Sequence, residues 1–187
     1  MELSVFLAFS GKPVIKDEEG SSFFSWFLVL LCLCSASVCS GTMAPIRVSA
    51  RVAATPSTIW EACFAHMKWE RWDPDLAEVK DVSGGCENGT KCVFAMKDGN
   101  DIPIELSNVK KNESVDFSGG GLGGLLRAEG KVQITPIDGA NSKIDYSFEV
   151  KGLIGSIFGI IKKKECVEGT EGGLANMVKL SEAAQKN

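Results

Sequence analysis

Polar and apolar residues alternate along most of the chain after Pro45, with the period of two that is typical of half-buried strands. In the first such segment, Ile46, Val48, Ala50 and Val52 are separated by polar residues. The same pattern predicts six further strands, at about 76–82, 92–96, 102–106, 115–117, 126–135 and 143–150. Pro103 implies an edge or outward-facing position in its strand, because proline cannot donate to a sheet ladder.

Two other segments have the helical period. Thr55 is a good N-cap and Pro56 suits the first helical position, so a helix is predicted over about 56–67, with a second short helix or turn over 68–72. A terminal helix is predicted from the apolar stripe Leu174, Met177, Val178, Ser181 and Ala184. One strand, a helical pair, six strands and a final helix indicate an α+β fold, in which that helix covers one face of an antiparallel sheet.

The apolar positions of the strands share one face of this sheet. For any single residue, ordinary core packing is an alternative to contact with a ligand, but together these residues would suit a hydrophobic molecule. Tyr146 is the one residue on this face that could orient a polar group of a ligand. The predicted ligand-binding residues are Phe94, Met96, Ile104, Phe117, Ile134, Tyr146, Phe148 and Met177.

The sequence offers little for catalysis, metals or nucleotides. His66 is the single histidine, and neither a Cys-x-x-Cys nor a His-x-x-x-His pair occurs, so no catalytic residue and no metal site are predicted. The glycine run 119–124 is predicted to be a hairpin turn, because a strand follows it where a nucleotide loop would need a helix. No cofactor is expected. The net charge of −4 argues against nucleic-acid binding.

Three features together resemble the START-like superfamily (SRPBCC, polyketide cyclase and lipid transport). They are the segment Thr55-Pro-Ser-Thr-Ile-Trp60, the segment Trp72-Asp-Pro74 and the glycine-rich turn before the last strands. The resemblance covers about 46–185. It implies a helix-grip fold, in which a curved sheet of about seven strands wraps around a long C-terminal helix, with two short helices after strand one.

The resemblance also implies binding, or transport, of a hydrophobic small molecule or lipid in a cavity between the sheet and the C-terminal helix. A cyclase- or aromatase-like enzyme is one alternative, and an interaction module with a filled interior is another. The sparse polar groups on the inner face favour a non-enzymatic binder over an enzyme. The oligomeric state is left open.

Residues 1–43 are predicted to be a tail that precedes a ligand-binding domain at 44–187. Its apolar run, 23–34, is followed by small residues, which resembles a signal peptide. A cleaved signal or a retained anchor would place the protein in the secretory pathway or at a membrane. Translation from Met43 would make the protein cytoplasmic, and these alternatives stay open.

Two further features also have alternative interpretations. Cys86 and Cys92 flank a predicted turn, where they would form either a disulfide or two free thiols. Near the terminal helix, an apolar stretch precedes three lysines. It is either a buried helix start with a solvated charge run or a site of transient membrane contact. The residues of that contact would be Ile157, Phe158, Lys162, Lys163 and Lys164.

Overall fold

Seven strands form one antiparallel sheet in the order β1-β7-β6-β5-β4-β3-β2. The computed structural model describes residues 44–121, 125–152 and 161–186. The strands are β1 (Ile46–Val52), β2 (Leu76–Lys80), β3 (Lys91–Met96), β4 (Asp101–Lys110), β5 (Ser114–Gly121), β6 (Leu126–Pro136) and β7 (Ser142–Lys151). The predicted α+β fold is confirmed.

Helix α1 (Pro56–Cys63) follows β1 directly. The Thr55 hydroxyl accepts a hydrogen bond from the Thr58 amide at 3.3 Å, so the predicted N-cap is formed. The helix is shorter than predicted: it ends at Cys63, where the C-cap residue Phe64 leaves the helical region with φ of −124°. Met67, with a left-handed φ of 53°, lies beyond this end. A short 3-10 helix (Trp69–Arg71) then takes the place of the predicted second helix or turn.

The two faces of the sheet differ as the alternation predicts. The outer face carries paired charges, among them Lys151, whose Nζ lies 2.8 Å from carboxylate oxygens of Glu129 and Glu149. Pro103 points to this face from β4, which is a central strand. Of the two positions predicted for this proline, an edge strand or an outward-facing site, the structure therefore shows the outward-facing site. The inner face carries the apolar core.

The glycine run was predicted to be a turn, and for its first residues this is wrong. Strand β5 continues to Gly121, and Gly119 pairs with Ile104 on one side and Ala128 on the other. A Cβ at Gly119 would collide with the Pro103 carbonyl oxygen, so glycine permits a close approach of two strands here. Residues 122–124 lie outside the described part of the chain.

Helix α2 (Lys163–Gln185) packs on the inner face through Leu174, Met177 and Ser181. Side chains at its C-terminal end hold the start of α1. Glu182 accepts a hydrogen bond from the Ala53 amide at 3.2 Å, and Gln185 accepts one from the Thr55 amide at 3.0 Å. The structure therefore confirms the predicted arrangement, in which the sheet grips a long terminal helix.

Candidate functional site

The predicted ligand-binding residues lie on or against the inner face of the sheet, but in different surroundings. Six of them are buried members of the main apolar core: Phe94, Ile104, Phe117, Ile134, Tyr146 and Met177. Met96 is half-buried and packs against that core. Phe148 is half-buried and does not belong to the core cluster. Their role in ligand binding stays a prediction.

The part of the inner face next to β3 and β5 is filled by aromatic rings. Trp69 is fully buried, and its ring lies 5.5 Å from that of Phe94 and 5.4 Å from that of Phe117. On its other sides are Phe64, at 5.8 Å, and Trp72, at 5.6 Å. Such tilted and edge-to-face contacts are the favoured geometry of aromatic packing. This region is closed core.

At one end of β1, β6 and β7, the described residues of the inner face do not join the main apolar core. Several apolar residues there are half-buried, whereas Val150, which pairs with Ala128, is 3% exposed. We call this region the open end; it consists of Ile46, Leu126, Ala128 and Phe148.

Small residues lie beside the open end. Gly119 pairs with Ala128, and Gly121 pairs with Leu126. Gly130, which pairs with Phe148, lies under the ring of Phe117. A Cβ at Gly119 would collide with the Pro103 carbonyl oxygen and one at Gly130 with the Phe117 ring, whereas a Cβ at Gly121 would meet no atom within 4 Å. Helix α2 runs away from this end, since its C-terminal part is held at Ala53, at the opposite end of β1.

Tyr146 lies at the inner border of the open end, two residues before Phe148. Its ring packs edge-on against Trp72, with centroids 6.1 Å apart, and Gly173 of α2 lies against the same two rings. Asn176 of α2 donates to the Trp72 carbonyl oxygen at 3.0 Å, which ties the helix to this point. Burial, together with the nearby carboxylates of Asp73 and Asp75, raises the pKa of the Tyr146 phenol. The hydroxyl therefore remains a hydrogen-bond donor.

Asp73 adds an acidic group that the sequence reasoning overlooked. Its carboxylate accepts a hydrogen bond from the Asp75 amide at 2.9 Å. Burial raises the pKa of this carboxyl above its ordinary value. Asp73 stands in the Trp72-Asp-Pro74 segment, which served above as one feature of the resemblance to the START-like superfamily. The signal in the sequence was a carboxylate between a large aromatic residue and a proline.

Trp69 was also missed as an inner-face residue. Its indole N–H is buried without a hydrogen-bond partner among the described residues. Trp72, by contrast, donates its indole N–H to the Cys63 carbonyl oxygen at 3.0 Å. Neither residue belongs to a strand, so the alternation of the strands gave no information about where their side chains lie.

Two grooves lie on the outer face. One, of about 570 Å³, is lined by Lys91, Pro103, Glu105, Ser118 and Arg127, among others. The second, of about 400 Å³, is lined by residues of β1, β5, β6 and β7, several of them charged. Both are open and mixed in polarity. Ile104 contributes to the first groove and Tyr146 to the second, but neither groove contains another of the predicted ligand-binding residues. We therefore do not place a hydrophobic ligand in either groove.

The remaining candidate groups lie away from this region or outside the described residues. His66 is exposed, 3.8 Å from Glu61. Cys86 and Cys92 are free thiols, and burial raises their pKa values to about 12 and about 11. Residues 1–43, and with them the predicted tail, lie outside the described part of the chain, as do Ile157 and Phe158. Within the described part, no helix combines the length and apolar character needed to span a membrane.

The family model for "polyketide cyclase / dehydrase and lipid transport" proteins matches residues 43–182. The chain belongs to this polyketide cyclase and lipid transport family. The resemblance to the START-like superfamily is thereby confirmed, and the family comprises both cyclase-type and lipid- or ligand-binding proteins. No curated protein sequence matches the chain.

Solved structures share the fold of this family member. A START superfamily protein from Mycobacterium smegmatis aligns with a TM-score of 0.55 over 72% of this chain and 97% of its own, at 14% identity. A norcoclaurine synthase mutant from Thalictrum flavum, bound to a transition-state analogue, gives 0.55 over 75% and 95%, at 16% identity. The di-domain ARO/CYC protein BexL, from the BE-7585A biosynthetic pathway, gives 0.59 over 75% and 47%, at 12% identity. Such low identities indicate a common fold and no more.

Proposed function

We propose that this protein binds a hydrophobic small molecule or lipid at the open end, between the sheet and helix α2. One observation carries the proposal. The half-buried apolar residues of the open end, Phe148 among them, lie together at one end of the inner face and outside the main apolar core. Next to β3 and β5 the inner face is closed by aromatic rings. Burial of a ligand's apolar surface would supply about 25 cal/mol per Å².

Membership of the family supports this proposal, because its description includes lipid transport. A filled-interior interaction module is the opposing interpretation. The aromatic cluster around Trp69 fits that interpretation for one part of the inner face, whereas the half-buried residues of the open end do not.

Native mass spectrometry tests the proposal directly. The chain would be purified from a eukaryotic host and weighed under native conditions, then extracted with organic solvent. A co-purifying apolar molecule, released by the solvent, is the expected result. A protein that carries no such molecule, and that takes up no neutral apolar fluorescent probe, would contradict the proposal and leave the filled module as the better account.

A proton-transfer enzyme is the second candidate. The observation that favours it is that the Tyr146 ring packs against Trp72, the residue directly before Asp73, whose carboxyl has a raised pKa. A carboxyl and a phenol that exchange protons with a bound ketone would promote enolisation, a step that cyclisation chemistry requires. Deuterium exchange at the carbon next to the carbonyl of a bound ketone, lost in Asp73→Asn, would support this candidate. Binding without exchange would support the binder.

We further propose that the open end meets a membrane when it takes up its ligand. Two large apolar residues near it are exposed, Leu125 at 45% and Ile161 at 72%. They flank the positions at which β6 and α2 begin. The lysines that follow Ile161 contribute limited attraction to anionic lipid. Lys162 pairs with Glu165 at 2.8 Å, and Lys164 with Glu168 at 3.7 Å.

A further inference from the structure

Helix α2 is attached to the other elements by its second half. Between described residues, every hydrogen bond that joins this helix to another element involves Asn176 or a residue after it. The ion pairs of its first half join neighbouring turns of the helix itself. Residues 163–169 include no buried side chain, and burial begins at Thr170. The two halves of α2 therefore differ in how firmly they are held.

Three glycines interrupt the helix where its attachment begins: Gly169, Gly172 and Gly173. Each glycine inside a helix weakens it relative to alanine, because glycine loses more backbone freedom on folding. At Gly172 a Cβ would lie 3.4 Å from the Pro74 Cγ, and at Gly173 it would lie 3.5 Å from the Tyr146 ring, which are ordinary van der Waals distances. Packing does not require glycine at these two positions, so their main effect is to weaken the helix.

The beginning of α2 has little local stabilisation. No side chain caps its N-terminus. Its first two residues, Lys163 and Lys164, carry positive charge at the positive end of the helix dipole, which Glu165 offsets only in part. The Thr170 hydroxyl donates to the Cys166 carbonyl oxygen at 2.6 Å, an interaction that weakens and bends helices. Weak local stability and few tertiary contacts are typical of segments that open independently of the rest of a protein.

The first half of α2 passes over the open end. The Cβ position of Gly173 is 3.5 Å from the Tyr146 ring, whereas Glu182 is bound to Ala53, beyond the far end of β1. From Glu182 to Gly173 the helix therefore runs along β7 toward Phe148. The helical residues before Gly173 extend about 15 Å further, at about 1.5 Å per residue. Because Phe148 is only about 7 Å from Tyr146 along the strand, these residues reach the open end.

We propose that residues 163–172 of α2 are a gate, which unfolds locally to admit a ligand to the open end while the rest of the helix stays bound. This inference rests on the proposed binding function and adds the route by which the ligand enters and leaves. The bonds of Asn176, Glu182 and Gln185 lie outside the gate, so opening leaves them intact. Because the ligand passes only while the gate is open, the stability of the gate sets the rates of entry and exit and not the affinity.

Amide hydrogen exchange in the full chain measures opening without any ligand. The first four amides of a helix have no acceptor within it, so the comparison uses residues 167–172 and 176–181. We expect the first group to be protected at least about tenfold less than the second. Gly172→Ala should raise protection of the gate about four- to fivefold, as for glycine replaced inside a helix. Equal protection of the two groups would overturn the inference.

Stopped-flow fluorescence with the neutral probe N-phenyl-1-naphthylamine measures entry and exit. Gly172→Ala should slow both rates about four- to fivefold and leave the Kd unchanged. Glu171→Gly, at an exposed position of the gate, should speed both rates about threefold. Gly139→Ala is the matched control, because it makes the same substitution in open space, in the turn between β6 and β7, and should change neither rate.

The outcomes separate the gate from the proposed function. Equal rates in Gly172→Ala and the parent protein, or a changed Kd with unchanged rates, would overturn the gate while leaving the binding function in place. A parent protein that does not bind the probe at all would refute the proposed function, and the gate with it.

Discussion

Replacing Phe148 by alanine should cost much less stability than the same change at Phe117. Phe117 is 5% exposed, and its ring lies against those of Trp69 and Phe94. Phe117→Ala would leave a closed cavity among these rings, so we expect a loss of about 3–5 kcal/mol in the free energy of unfolding. Phe148 is half-buried and outside the core cluster. Since burying a whole phenylalanine is worth about 1.5–3 kcal/mol, a half-buried ring should cost about 1–2 kcal/mol.

Urea denaturation of both variants measures these losses, and displacement of a neutral fluorophore measures binding. Phe148→Ala should weaken the apolar probe, because Phe148 lines the open end. Phe117→Ala is the matched control, and it should lower stability with a smaller effect on binding. If Phe148→Ala loses as much stability as Phe117→Ala and binds the probe like the parent protein, then Phe148 is ordinary core and the open end is wrongly placed.

Three other predictions concern packing, protonation and membrane contact. Gly130→Ala should lower the free energy of unfolding by about 1–3 kcal/mol, because the new Cβ would enter the Phe117 ring. Gly139→Ala, at a position with open space around it, should be near neutral. Equal urea unfolding midpoints for the two variants would refute this. Because the raised pKa of Asp73 means that the folded protein holds this proton more tightly than the unfolded chain, its contribution to stability declines as pH rises above about 3.9. The stability of Asp73→Asn, measured relative to the parent protein, should therefore rise from acidic to neutral pH. A difference in unfolding free energy that stays constant with pH would argue against this. Ile161→Asp should reduce co-sedimentation with vesicles of zwitterionic lipid, and undiminished sedimentation would remove Ile161 from the membrane contact.

Much of the fold followed from the sequence, because its signals are local. The period of two in β1 and β7, and the cap formed by Thr55, depend on residues that are neighbours along the chain. The alternation also decides which side chains share a face, so the inner-face membership of Tyr146 and Phe148 was predictable. Their pairing partners, Val48 and Ile46 on β1, agree with that assignment.

Other features depended on contacts between residues far apart in the chain. Helix α1 ends early at Cys63, where Phe64 leaves the helical backbone region, and β5 runs on through its glycines because the neighbouring strands come close. No periodicity predicts either outcome. Both reflect packing that overrides the local signal.

The division of the inner face was decided by tertiary structure alone. The sequence placed Phe94, Phe117 and Phe148 in one apolar set, since alternation distinguishes faces and not positions within a face. The fold then brought Trp69, from a segment without a repeating pattern, onto Phe94 and Phe117, whereas Phe148 lies outside that core cluster. What a side chain contacts depends on which distant segment covers it, and that information becomes available only when the chain has folded.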